Sequence, residues 1–275
     1  MGHVDHFSYG ALTPVLAYVM SCMGSLLGLL CMTRAREAEG RSRAKWLAVA
    51  ALAIGGTGIW VMHFIAMLGF RVSGMQIRYD VPLTLLSALV SVVVVGTGLF
   101  IVAYGGFRLS ALLGGGLLTG AGVAAMHYLG MSAMNMPGHI DYAPLTVTAS
   151  VAIALAAATA ALWFAVHARG LLAITAASAI MGVAVTGMHY TGMFAVHVHP
   201  DPAVAAVGGA QVAELIGPLI VGISLVALLL LLIIAVNPPE EDLTKNRRRS
   251  YQAEPPPPAP TTRGERPGSL FDGSG

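Results

Sequence analysis

Met188–Met193 reads Met-His-Tyr-Thr-Gly-Met, and two earlier stretches spell nearly the same word. Met126–Met131 reads Met-His-Tyr-Leu-Gly-Met, and Met62–Met67 reads Met-His-Phe-Ile-Ala-Met. Their histidines, His63, His127 and His189, are separated by 64 and then 62 residues, a period that marks an internal repeat. In each copy one methionine precedes the histidine and a second follows it four positions later.

The sequence around these hexapeptides sets the fold class. The 275 residues are 56% hydrophobic and only 10% charged, with a mean hydropathy of +0.75, which leaves too little polar surface for a soluble globule. Uncharged apolar runs of about twenty residues match the length an α-helix needs to cross a bilayer. They are continuous rather than alternating, which favours helices over a barrel. We therefore expect an all-α membrane protein of seven transmembrane helices, at about 12–33, 46–70, 81–104, 111–134, 145–167, 171–196 and 214–236. Each hexapeptide falls in the distal half of an even-numbered span, giving three two-helix repeats plus a seventh helix.

Residues 1–11 form a short extracytoplasmic lead, 12–236 the membrane domain, and the proline-rich, charged stretch 237–275 a disordered cytoplasmic tail with no room for a catalytic domain. The lead has no Lys or Arg, so no cleavable signal is expected, and the first span serves as its own insertion signal. Cys22 and Cys31 share that span, about 13 Å apart on opposite faces, too far for a disulfide. The segment 34–45 reads as a loop with five basic residues. Of the fifteen Lys and Arg, all but Arg71 and Arg78 fall on one side of the spans. The positive-inside rule then places the amino terminus outside and the carboxyl terminus in the cytoplasm.

Successive two-span repeats enter the membrane the same way round, so the three histidines share one depth. Each lies eight residues before its distal boundary residue, Arg71, Asn135 or His197, about 12 Å at helical rise. The histidine and second methionine of each copy are one turn apart and project from one face: His63 with Met67, His127 with Met131, His189 with Met193. Met62, Met126 and Met188 are rotated by about 100° and either flank the site or pack against a neighbour. The upstream glycines Gly56, Gly58, Gly120, Gly122, Gly182 and Gly187 suit close helix approach. Ionisable groups in a membrane interior are costly and mark function. Imidazole with thioether, and no thiolate or carboxylate nearby, fits copper, above all Cu(I). Zinc and a haem are the alternatives. His3, His6, His139, His197 and His199 lie at the outer surface, as ordinary loop residues or as feeders of a metal inward.

The triple Met-His-Tyr/Phe-x-Gly/Ala-Met pattern in alternate spans resembles the MHYT-domain family of bacterial membrane proteins, over about residues 6–236. The resemblance implies a sensor whose histidines and methionines bind copper and detect oxygen, carbon monoxide or nitric oxide. It carries the ligand role to the nine Met and His positions of the three hexapeptides. Phe64 departs from the pattern by removing a phenol, and the cyclic-dinucleotide or histidine-kinase output of many relatives is not found in this sequence.

The expected function is a copper-binding sensory module of the bacterial cytoplasmic membrane that detects a diatomic gas or redox state and signals through a separate cytoplasmic partner. The alternative is a copper transport or delivery protein, or an oxidase assembly factor. The spans hold no Asp, Lys or Arg, which argues against proton-coupled transport. No nucleophile with its base and no nucleotide or flavin motif is present, so neither an enzyme nor a nucleic-acid binder is expected.

Overall fold

Long apolar runs fold, among the described residues, as six membrane-length helices, three of which carry proline in their first turn (Pro14, Pro82 and Pro144). The computed structural model describes residues 3–106, 108–201, 208–211 and scattered positions between 214 and 232. The helices are α1 (Leu12–Glu37), α2 (Gly40–Met67), α3 (Val81–Gly105), α4 (Leu109–Ser132), α5 (Pro144–His167) and α6 (Gly170–Met193), each long and apolar enough to cross a membrane. Most of the predicted seventh span, 214–236, and the whole of the tail 237–275 lie outside the described residues.

Local chemistry sets the ends. Asp80 caps α3, its carboxylate accepting from Leu83 N at 2.8 Å, and Pro82 occupies the first turn where its missing N–H costs nothing. Pro144 does the same for α5. The three tight corners each carry one glycine at positive φ: Gly40 (51°), Gly106 (68°) and Gly170 (76°).

The expected loop at 34–45 is a correction. Arg34–Glu37 continues α1 and Gly40–Lys45 begins α2, leaving only Ala38 and Glu39 between helices. Apart from Gly40 and Ser42 the segment is built of Ala, Arg, Glu and Lys, good helix formers. Two of its arginines also have helix ends to bind. Arg36 donates to the carbonyls of Ala165 (2.7 Å), Val166 (3.2 Å) and Ala168 (3.0 Å) at the end of α5. Arg43 donates to Ala103 O at the end of α3 and lies over the Tyr104 ring, 4.8 Å from its centre. Both satisfy carbonyls left unpaired at a helix C-terminus and complement its dipole.

At the other end, three spans stop short of expectation: α2 at Met67, α4 at Ser132 and α6 at Met193, because the chain turns there into short strands. These are β1 (Val4–Asp5), β2 (Arg71–Val72), β3 (Arg78–Tyr79), β4 (Met134–Asn135), β5 (Gly138–Tyr142), β6 (Val196–Pro200) and β7 (Ala210–Gln211). They pair antiparallel as β1–β2, β4–β3–β7 and β5–β6. Strand pairing gives the connecting backbone partners next to a region where water is scarce.

The helices form a closed ring in which α1 packs on both α2 and α6, and α2–α3, α3–α4, α4–α5 and α5–α6 are neighbours. Close approach rests on small residues, as expected. Gly24 of α1 abuts Gly58 of α2, Gly120 of α4 abuts Ala154 and Leu155 of α5, Gly122 packs on Val94 of α3, and Gly182 of α6 packs on Cys22 and Tyr18 of α1. Gly187 is a correction: nothing lies within 4 Å of where its Cβ would stand. Both cysteines are free thiols. On the ring axis a cavity of about 40 Å³ is lined by residues of all six helices, among them Ser25, Ile54, Leu99, Val123, Ala158 and Met188.

Candidate metal centre

The hexapeptides close α2 and α6 and end one residue before the close of α4, so each histidine sits four or five residues from the end of its helix. The ring then turns all three imidazoles toward its interior, where each is 1% exposed. His63 Nδ1 lies 3.0 Å from His189 Nδ1 and 3.2 Å from His127 Nδ1. The ring centres are 4.9, 5.0 and 5.1 Å apart and the planes cross at 82–87°, a three-bladed arrangement with the Nδ1 edges inward. The three histidines, expected to share one depth, bring their Nδ1 atoms together.

A neutral imidazole has one N–H and one lone pair. His63 Nδ1 faces two other Nδ1 atoms, and its single site there cannot pair well with both. The three Nε2 atoms are buried with no hydrogen-bond partner. A cation shared among the three lone pairs would satisfy every Nδ1 at once. The fit is close, since donors on a tetrahedral ion with bonds of about 2.0 Å lie about 3.3 Å apart. Among the described residues, His63, His127 and His189 form the one group of three His, Cys, Asp or Glu side chains positioned to hold a metal.

The outward edges of two rings rest on small residues. A Cβ on Gly130 would stand 2.7 Å from His63 Nε2, and one on Gly192 would collide with His127 Nε2. The fifth position of one hexapeptide is thus the seat for the histidine of the preceding copy. The sequence shows only small residues there (Ala66, Gly130 and Gly192), but spacing alone does not reveal which ring each one seats.

All six motif methionines are buried, at 2% exposure or less: Met62, Met67, Met126, Met131, Met188 and Met193. Met188 lines the axial cavity. Of the outer histidines, His6 packs its ring among Phe7, Phe70 and Phe194, 5.2–6.4 Å between centres. Burial holds its pKa below the ordinary value, with Asp5 opposing the shift. His3 accepts from Ser73 N through its backbone carbonyl, and His139, His197 and His199 lie on the β5–β6 ribbon.

Two supports were not legible in the sequence. Residues Leu52–Val61, just before Met62, form a π-helix, a rare wide turn frequent at functional sites. Its Gly55 carbonyl accepts from Ser91 Oγ of α3 at 2.7 Å. Trp60 Nε1 donates to Ser87 Oγ of α3 at 3.0 Å, and the Trp60 ring packs tilted against Phe64, 4.8 Å between centres.

Comparison with known proteins agrees with this geometry. The family described as "Bacterial signalling protein N terminal repeat", MHYT, matches residues 56–115 and 120–178. The chain is 39% identical over 193 residues to the bifunctional diguanylate cyclase/cyclic di-GMP phosphodiesterase MucR of Pseudomonas aeruginosa, covering 68% of this chain and 28% of that protein. It is 33% identical over 198 residues to the cyclic di-GMP phosphodiesterase NbdA of the same organism, covering 70% and 25%. Identity to the signaling protein YkoW of Bacillus subtilis is 32% over 207 residues, covering 72% and 25%. The chain thus spans about a quarter of the length of the curated relatives it matches. No solved structure matches. Six membrane-length helices, three hexapeptides whose histidines meet, and these matches lead to one conclusion: the chain is a multi-pass membrane protein of the MHYT-domain family of bacterial signalling proteins.

Proposed function

We propose that the protein is a sensory module of the bacterial cytoplasmic membrane in which His63, His127 and His189 hold a copper ion. Met67, Met131 and Met193, one turn beyond each histidine, and Met62, Met126 and Met188, one residue before, complete a soft donor set. The observation that carries this reading is the meeting of three Nδ1 atoms at 3.0 and 3.2 Å in a fully buried site. Nitrogen and thioether donors without thiolate or carboxylate favour copper, particularly Cu(I), over zinc. A bound copper supplies a one-electron redox centre and an attachment point for a diatomic ligand.

The protein's own groups keep the site dry and, through Gly130 and Gly192, seat His63 of α2 against α4 and His127 of α4 against α6. A shift of one imidazole therefore alters packing between neighbouring helices. With the amino terminus outside and the arginine-bearing corners in the cytoplasm, that change is delivered to a cytoplasmic partner. The names of two relatives point to cyclic di-GMP turnover as the output chemistry of such a partner. No catalytic role is assigned to the chain itself.

The test is metal analysis with optical spectroscopy on detergent-purified protein, beside a variant with His63, His127 and His189 all changed to Ala. Stoichiometric copper in the parent and its loss in the variant are expected. Equal copper affinity in both proteins would end the proposal, and a Soret band would replace copper by haem.

A further inference from the structure

The inside of the ring is layered, and the layers differ in what they let through. Toward the Gly40, Gly106 and Gly170 corners, the axial cavity is lined by residues four before each histidine, Ile59, Val123 and Val185. Ile54, Thr119 and Met181, eight or nine before, line it as well. These positions lie on the histidine's own side of its helix, one and two turns away. The cavity measures about 40 Å³ and its walls are almost entirely apolar, which makes it a poor route for an ion over a depth of two turns.

On the other side, each histidine is followed one turn on by the second methionine of its hexapeptide, Met67, Met131 or Met193. Past that layer the strand-bearing end opens. A cleft of about 870 Å³ lies there, with His3, Asp5, Ser73, Gln76, Met67 and Tyr79 among its walls. The course of the chain makes the cleft. After Met67 it runs out along β2, which pairs with β1, turns at Gly74 (φ 76°), and returns along β3 between β4 and β7.

His3, Asp5, Ser73 and Gln76 are exposed, whereas Met67 and Tyr79 are each 1% exposed, so the cleft has a wet polar mouth and a buried floor. Arg71, whose charge opposes a cation, is drawn over the Tyr9 ring and donates to its hydroxyl at 2.7 Å. Among the described residues, Met67 is the hexapeptide methionine that lines the cleft. It stands about 6 Å along the helix from His63, on the same face.

We propose that this cleft is the loading port of the histidine triad: Cu(I) enters past Asp5 and Ser73 and passes from the Met67 thioether to the His63 imidazole. The transfer is a ligand exchange in which the incoming donor binds before the outgoing one leaves. A thioether has no proton to lose, so it takes up Cu(I) without acid–base chemistry. The port rests on the copper reading and adds to it the direction of loading, from the strand-bearing end.

The experiment measures how fast the detergent-purified full chain takes Cu(I) from a chromogenic Cu(I) chelator, and returns it, in the absence of oxygen. Ser73→Trp with Gln76→Trp sets two indoles in the cleft, away from the donor set. Uptake and release should both slow by at least about 10-fold with the dissociation constant unchanged, because an obstructed path raises the barrier equally in both directions. Met67→Leu, which keeps the bulk and removes the sulfur, should slow uptake about 10-fold more than Met131→Leu or Met193→Leu. Ser110→Trp, exposed at the opposite end, should change neither rate. Circular dichroism checks the fold of each variant, and Met67→Leu carries the test if the paired tryptophans disturb the strands. Rates indifferent to the cleft variants, or slowed by Ser110→Trp instead, overturn the port while the copper reading stands. A parent chain that binds no Cu(I) ends both.

Discussion

The first hexapeptide and the other two deliver the same imidazole to the same point from different surroundings. In α2 the helix reaches His63 through a π-helical stretch, and 83% of its most apolar eighteen-residue window is buried. In α4 and α6 the approach is regular α-helix, and the corresponding shares are 39% and 33%. The side links differ as well. In the second copy the Tyr128 hydroxyl meets Ser150 Oγ of α5 at 2.6 Å, whereas in the third the Tyr190 hydroxyl is buried without a hydrogen-bond partner and its ring packs tilted on Phe7, 5.4 Å between centres. In the first, Phe64 has no hydroxyl, and the link to α3 comes instead from Trp60 to Ser87, one turn earlier. The repeat preserves the imidazoles while letting each copy brace them with whatever its neighbours offer. A threefold word in the sequence therefore does not imply a threefold-symmetric support.

Substitutions that treat the copies as equivalent expose this. The largest effect is expected from Gly192→Ala and Gly130→Ala, which force a methyl group against His127 and His63. Each should cost about 2–3 kcal/mol by overpacking and weaken copper binding by about 10- to 100-fold. Thermal unfolding and metal titration in detergent read both. A variant that kept full affinity would show that the rings are not seated there.

Next comes Arg36→Ala, which strips three carbonyl acceptors at the end of α5 of their partner. A loss of about 2 kcal/mol is expected, against less than about 0.5 kcal/mol for exposed Arg41→Ala. An equal response from the two arginines would mean that the first corner is held no more firmly than an ordinary loop.

Phe64→Tyr should then destabilise by about 1–2 kcal/mol, because the new hydroxyl enters a site packed by Trp60 and buried Tyr79. Tyr128→Phe, the reverse change, should cost about 1 kcal/mol through Ser150. A stabilising Phe64→Tyr would mean that the first copy tolerates a phenol after all. Smallest is Ala66→Gly, at about 0.5–1 kcal/mol from helix propensity alone, with copper affinity unchanged.

Much of this was legible from residues. The hexapeptide spacing singled out the three histidines that cluster, and the apolar runs located six helices to within a few residues at most ends. The exception is the start of α2, where charged but helix-favouring residues 40–45 read as loop, and only the distant carbonyls of α3 and α5 explain why Arg43 and Arg36 are ordered there. The short strands escaped because pairs such as Arg71–Val72 are too brief to show alternation. The π-helix escaped because its glycine-rich sequence, Leu52–Val61, differs little from an ordinary helix-packing run. Which small residue seats which ring depends on how the helices are ordered around the ring, information that no local pattern carries.

The closing contact between α1 and α6 has a consequence for how the protein comes to exist. His63 and His189 are separated by 126 residues, and the ring that brings them together is sealed by its first and last described helices. Helical hairpins insert as they are made, but long-range closure waits for chain that has not yet been synthesised. The histidine cluster is thus a late product of assembly. Until α6 docks, the buried imidazoles of the first two copies have an open side, and a chain stalled after the second copy would enter the membrane without a complete triad.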